Sequence, residues 1–306
     1  MKKIQFLILT KSIGFYLNLL SFIKPEKAKQ IAYQLFSQPR KGKLNPNQLP
    51  KTLINTEKET FQHDDHTFQT YTWRGNDEII LLVHGWESNA SRWKKMLNHL
   101  KPLGKTIIAI DAPAHGLTSG KEFNAPKYAE YINTLTKKYS PKIIIGHSVG
   151  GAAISYYLHK FGNPNIEKVV LLGAPSDFKI ISNNFVSMLS LNKKIKNRLE
   201  NYYQEKFNIH IDEFKAHNFA QNFPQPVISQ NLSEATCVSC KRYASERSSL
   251  PAMRISPLNQ PCKQSNQTSS CSGSIQQQEL WRDKWQCQSW GFWKNEQQPL
   301  WRVLAD

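Results

Sequence analysis

A chain of 306 residues with 40% apolar content is long enough to bury one large core or two smaller ones, which excludes disorder throughout. Its formal net charge is +17, yet the lysines are scattered singly and in pairs and form no basic tract with interleaved aromatics. Nucleic acid is therefore not an expected partner, and the charge points no further than to anionic substrates or membrane proximity.

The chain opens on "MKKIQFLILTKSIGFYLNLLSFIKPEK", a basic start followed by a mostly apolar run. Lys11 interrupts the run and no small-residue cleavage pattern precedes Pro25, so the expectation is an uncleaved helix that packs on the domain or contacts a membrane peripherally through residues 1–23. The default localisation is cytoplasmic. Residues 1–50 form this N-terminal helical segment.

Residues 51–176 alternate strand-like and helix-like stretches. "ETFQHDDHTFQTYTW" (Glu59 to Trp73) reads as a hairpin and an antiparallel edge. "EIILLVHG" (Glu78 to Gly85), "KTIIAIDAP" (Lys105 to Pro113), "KIIIGHS" (Lys142 to Ser148) and "KVVLLGAP" (Lys168 to Pro175) are short continuous apolar runs, as strands buried on both faces require. Between them Trp93, Met96, Leu97 and Leu100 recur at helical spacing, as do Tyr128, Tyr131, Ile132 and Leu135 behind the helix-starting Pro126. Alternation of this kind predicts an α/β fold, with a mostly parallel central sheet and helices on both faces.

Residues 177–224 lose the strand signal and carry amphipathic, lysine-rich helical material, read as a helical cap or insertion at the carboxyl ends of the strands. Residues 225–306 differ again. "QPVISQN" begins like a further buried strand and breaks off, after which come all five Cys and five of the eight Trp, much Ser and Gln, and no His. Out-of-frame translation from near Ile228 would give such a composition; a disordered or divergent tail is the alternative. Cys237 and Cys240 have ligand spacing, but Cys262, Cys271 and Cys287 supply no second pair, so no metal site is expected.

The chemistry-bearing stretch is Gly146-His147-Ser148-Val149-Gly150, set between an apolar strand and a helix that ends at Gly162. A serine hydroxyl is a weak nucleophile unless held exposed beside a base, and a tight strand-to-helix turn with flanking glycines does the holding. His84-Gly85-Trp86 ends the earlier strand, and Asp111, Pro113, His115 and Gly116 end the next. With these three motifs in order, the chain resembles the α/β-hydrolase family from about Trp73 to Phe223. VHGW is similar to its strand-end HG motif, DAPAHG to its D-x-P-G-H-G turn with Ala114 in place of glycine, and GHSVG to its nucleophile elbow.

The resemblance implies Ser148 as nucleophile and the backbone N–H groups of Trp86 and Val149 as oxyanion hole. His84, His115 and His147 are expected to be structural. Trp86 either lines an acyl pocket or simply packs. The family's acid and histidine follow the serine in the chain. Asp177, after the "KVVLLGAPS" strand, is the candidate acid, with helix capping as its alternative role; Glu234 is a weaker coincidence. Of the later histidines, His159, His210 and His217, none stands at a strand end, so the base histidine is unknown.

The function implied is a serine hydrolase, an esterase on small or medium acyl esters that forms an acyl-enzyme and uses no cofactor. Its expected partner is a small ester-like substrate. The alternatives are a catalytically silent member lacking its base, and a lyase or haloperoxidase on the same scaffold.

Overall fold

The structure, a computed structural model, describes residues 2–215, 218, 219 and the backbone of 227–230. His217, Glu234, the five cysteines and the change of composition beyond Gln230 lie outside the described residues. In chain order the elements are α1 (Lys2–Ile23), α2 (Pro25–Ser37), the short α3 (Lys51–Ile54), β1 (Glu57–His63), β2 (His66–Trp73), β3 (Asn76–Val83), α4 (Lys94–Leu100), β4 (Lys105–Ile110), α5 (Ala125–Tyr139), β5 (Ile143–His147), α6 (Val149–Phe161), β6 (Lys168–Leu172), α7 (Phe178–Leu189), α8 (Lys193–Phe207) and β7 (Val227–Gln230).

The strands form one sheet in the order β1-β2-β4-β3-β5-β6-β7. The β1–β2 hairpin is antiparallel and joins the sheet through β2 against β4; every later pairing is parallel. The continuous apolar runs are explained by burial on both faces. Leu81, Val83, Ile108, Ile110, Ile144 and Leu171 face a core shared with α5 and α6, and the alternating Ile80, Leu82, Ile107, Ala109, Ile143 and Ile145 are as fully buried on the other side. The helical spacings hold as well: Tyr128, Tyr131, Ile132 and Leu135 are fully buried, and the Asn124 side chain caps α5 by accepting the Lys127 N–H. The strand begun by "QPVIS" is a sheet strand, since Val227–Gln230 pairs with β6.

Chain direction decides where a site can form. After β3 the chain crosses to β4 on one side, and β5 then returns to the other side of β3. Loops leaving the carboxyl ends of β3 and β5 therefore lie side by side at a reversal of strand order, where α/β sheets open a crevice.

The two helical regions that the sequence reading keeps apart share one core. Leu17, Ala32 and Tyr33 from α1 and α2 cluster with Phe185, Leu189, Ile195, Leu199 and Tyr203 from α7 and α8. This layer grips the loop after β4: the Tyr33 hydroxyl donates to Glu122, Lys206 Nζ lies 2.7 Å from the same carboxylate, and the Phe123 N–H donates to Ser37 O. Helices α7 and α8 are thus packed together with the N-terminal helices α1 and α2.

Candidate active site

Ser148 stands between β5 and α6 with φ 54° and ψ −129°, a left-handed backbone conformation that side chains other than glycine rarely adopt. Holding it there costs about 1–3 kcal/mol, which the surrounding packing must offset. The flanking glycines show how. A Cβ on Gly146 would come within 2.5 Å of the Ile154 side chain and 2.8 Å of Gly151 Cα, and one on Gly150 within 2.4 Å of His84 O and 2.5 Å of Val83 O. Gly85 closes the contact from the β3 side, where a Cβ would lie 2.9 Å from Ser148 Cβ and 2.8 Å from His147 O. The Ser148 N–H is tied to Leu172 O at 2.9 Å.

The bend leaves Ser148 half-exposed while its neighbours Val149 and Gly150 are buried. Because β3 and β5 are hydrogen-bonded neighbours with Val83 opposite Gly146, Trp86 follows the strand end beside the elbow. The amides of Trp86 and Val149 donate to no acceptor among the described residues. The Trp86 ring meets His115 and Phe123 edge-on, each with centroids 5.6 Å apart, and remains half-buried.

Three histidines around the elbow are held neutral. His84 is fully buried; its Nδ1 donates to Gly85 O at 2.7 Å and its Nε2 accepts the Ala112 N–H at 2.9 Å, and burial, with His115 beside it, keeps its pKa well below the ordinary value. His115 is used in the same way, donating to Pro113 O and accepting the Glu87 N–H, with burial lowering its pKa to about 4. His147 accepts from the Arg92 guanidinium at 2.6 Å, and burial first, then that cation, lowers its pKa to about 3. All three fix loops by hydrogen bonding.

Asp111 is the hub of the same region. Its fully buried carboxylate accepts the Ala90 N–H at 2.8 Å, the Leu117 N–H at 3.0 Å and the Tyr71 hydroxyl at 2.9 Å. One side chain thus ties the β3 loop, the β4 turn and β2 together. Burial pushes its pKa up against these three donors. Gly116, at φ 50°, passes so close that a Cβ would overlap the carboxylate at 1.8 Å.

Asp177 sits at the head of α7, where Oδ1 accepts the Lys179 N–H at 2.8 Å and its backbone bridges to Lys215. That is the capping geometry. His159 is exposed beside Phe219, and His210 accepts the Asp212 N–H at 3.2 Å. Among the described residues, the Ser148 hydroxyl has no hydrogen-bond partner and no imidazole reaches it. Arg92 and Tyr71 are the residues bonded into this region that the sequence left unmarked: Arg92 lies one position outside an apolar helical period and Tyr71 within a hairpin, and neither position advertises a contact forty or more residues away.

Residues 78–210 match the profile of a family described as the alpha/beta hydrolase fold. This segment belongs to the α/β-hydrolase fold family. A non-heme haloperoxidase of Rhodococcus erythropolis is 28% identical over 104 residues, which is 33% of this chain and 38% of that protein. Protein ABHD8 of Homo sapiens is 27% identical over 108 residues, 33% of this chain and 24% of that protein. The matched stretch thus spans less than half the length of either curated relative. Among solved structures, esterase Pf2001 of Pyrococcus furiosus is 18% identical and aligns with a TM-score of 0.44, covering 63% of this chain and 76% of that one. Within the α/β-hydrolase fold the HG loop, the Asp111 turn and the elbow follow β3, β4 and β5, in the order in which the sequence presents them.

Proposed function

We propose that the protein is a serine hydrolase that cleaves small or medium acyl esters through an acyl-enzyme on Ser148. The observation that carries this reading is the Ser148 backbone at φ 54° and ψ −129°, with glycine contacts on both flanks and Gly85 packed against its Cβ. Nothing in ordinary packing requires a serine at such a position, where glycine would be unstrained.

In this reading Ser148 Oγ attacks the ester carbonyl, a base takes its proton, and the amides of Trp86 and Val149 hold the oxyanion that forms. Each such donor contributes about 3 kcal/mol to the barrier lowering. Collapse expels the alcohol, and water then releases the acid and regenerates Ser148. The half-exposed Trp86 ring offers an apolar wall for the acyl group. Asp177, whose second carboxylate oxygen is left over from capping α7, is the acid of this reading, and none of the described histidines is assigned as its base.

A second reading, a chain that keeps the elbow but has lost its base, is favoured by the absence of a partner for Ser148 among the described residues and of histidine from residues 229–306. A fluorophosphonate probe and p-nitrophenyl acetate separate the two. The hydrolase reading requires labelling and turnover that Ser148→Ala abolishes. A folded chain that shows neither is the silent form, and halide oxidation supported by peroxide would instead favour the chemistry named for the Rhodococcus relative.

A further inference from the structure

Helix α1 is turned inside out. Its buried stripe is Thr10, Gly14, Leu17 and Ser21, only one of them a large apolar residue. Gly14 lies so close to the end of α7 that a Cβ would overlap Leu189 O at 1.6 Å. Polar groups make the seam. Lys11 Nζ donates to Ser190 Oγ at 2.6 Å, Asn18 Nδ2 to Ser190 O at 2.9 Å, and the Asn192 side chain to Ser21 Oγ at 3.0 Å, while Asn18 Oδ1 accepts the Asn192 N–H at 2.8 Å.

The other side of the same helix is apolar and open. Ile4, Ile8, Phe15, Leu19 and Phe22 fall on one stripe, and they are 63%, 60%, 73%, 54% and 71% exposed. Met188 of α7, whose carbonyl lies 3.4 Å from Lys11 Nζ, is a further large apolar residue left exposed, at 41%. A helix lying against water shows the reverse arrangement, polar outside and apolar inside, and a contiguous patch of this kind marks a binding face. Cations border it: Lys24 and Lys27 follow the helix, Lys193 and Lys194 start α8 beside it, and Lys194 Nζ stands 5.1 Å over the Phe22 ring.

We propose that α1 seats the protein on an anionic bilayer leaflet, lying in the interface plane with the Phe15 and Phe22 stripe among the acyl chains and Lys24, Lys27, Lys193 and Lys194 against headgroup phosphates. Charge complementarity favours this occupant, since the chain carries +17 and the lysines border the apolar stripe. Residues 4–23 also have the length and mean hydropathy, 1.6, of a membrane span. A span would strip Lys11 from Ser190 and draw the head of α8, with Lys193 and Lys194, into hydrocarbon, which is the costlier arrangement.

The full chain is mixed with phosphatidylcholine vesicles with or without roughly a third phosphatidylglycerol and sedimented. Binding is expected to the anionic vesicles and to weaken with salt. Phe15→Ser with Phe22→Ser should lower partitioning by about tenfold or more. Lys24→Glu with Lys194→Glu should lower it by about tenfold on anionic vesicles and leave the neutral ones unaffected. All four sites are exposed, so thermal transitions should not move and vesicle binding reports the surface itself. The proposal is overturned if the parent chain ignores anionic vesicles, if binding is indifferent to headgroup charge and resists alkaline carbonate as a span would, or if the phenylalanine changes only dissolve a dimer.

Discussion

Arg92 Nη2 and His147 Nε2 lie 2.6 Å apart, which places a guanidinium against the imidazole immediately before the elbow serine. The guanidinium can only donate, so His147 must be neutral and accept at Nε2. Burial and the cation both lower the imidazole pKa, burial the more strongly. In Arg92→Met the His147 pKa should rise from about 3 yet stay below the ordinary value of about 6.5, because the burial remains. An NMR titration of the imidazole nitrogens reads this directly. A pKa unmoved by the substitution would show that the two groups do not meet in solution.

Gly150 and Gly104 offer a matched comparison. At Gly150 an added Cβ meets His84 O and Val83 O within 2.5 Å, whereas at Gly104, with φ 70°, nothing lies within 4 Å. Gly150→Ala should therefore cost about 3 kcal/mol or more and abolish probe labelling at Ser148. Gly104→Ala should cost about 1 kcal/mol, from backbone strain alone, and leave labelling intact. Denaturant melts of both variants, with labelling in parallel, decide the matter; equal costs would mean that the elbow is not close-packed.

Asp111 should behave as a structural anchor. Asp111→Asn turns an amide donor toward a site that already holds three donors and should cost about 3 kcal/mol, against about 1 kcal/mol for Tyr71→Phe. Because the two side chains are 2.9 Å apart, the double variant should fall short of the sum by about 0.5 kcal/mol or more. Strict additivity in a double-mutant cycle would contradict the bond.

Acid should unfold the protein partly through its buried histidines. The folded His115 pKa is lowered to about 4, so below pH 6.5 the unfolded chain binds more protons than the native one. The associated stability is complete above that pH and is lost as pH falls toward 4, by about 3 kcal/mol. His115→Gln should flatten the stability profile across this window while His84, shifted in the same direction, keeps part of the slope. A variant profile as steep as the parent's would remove His115 from the account.

How much of this was legible in the chain follows from the range of the interactions. Strands, the helices around Trp93 and Tyr128, and the glycine-flanked serine are set by local pattern: a strand buried on both faces needs a continuous apolar run, and a tight crossing needs glycine. The three motifs at strand ends mark the α/β-hydrolase fold by themselves, because each is a local turn requirement. What the sequence left open depends on partners distant in the chain. The pairing of β3 with β5 sets Gly85 against Ser148. The folding of the β3 loop brings Arg92 to His147 and Ala90 to Asp111. The packing of α1 on α7 and α8 reveals that its polar residues face inward. Hydropathy measures the composition of a helix, and only the direction in which each side chain points, fixed by the close approach at Gly14 and the bonds to Ser190 and Asn192, shows which face is left for a partner.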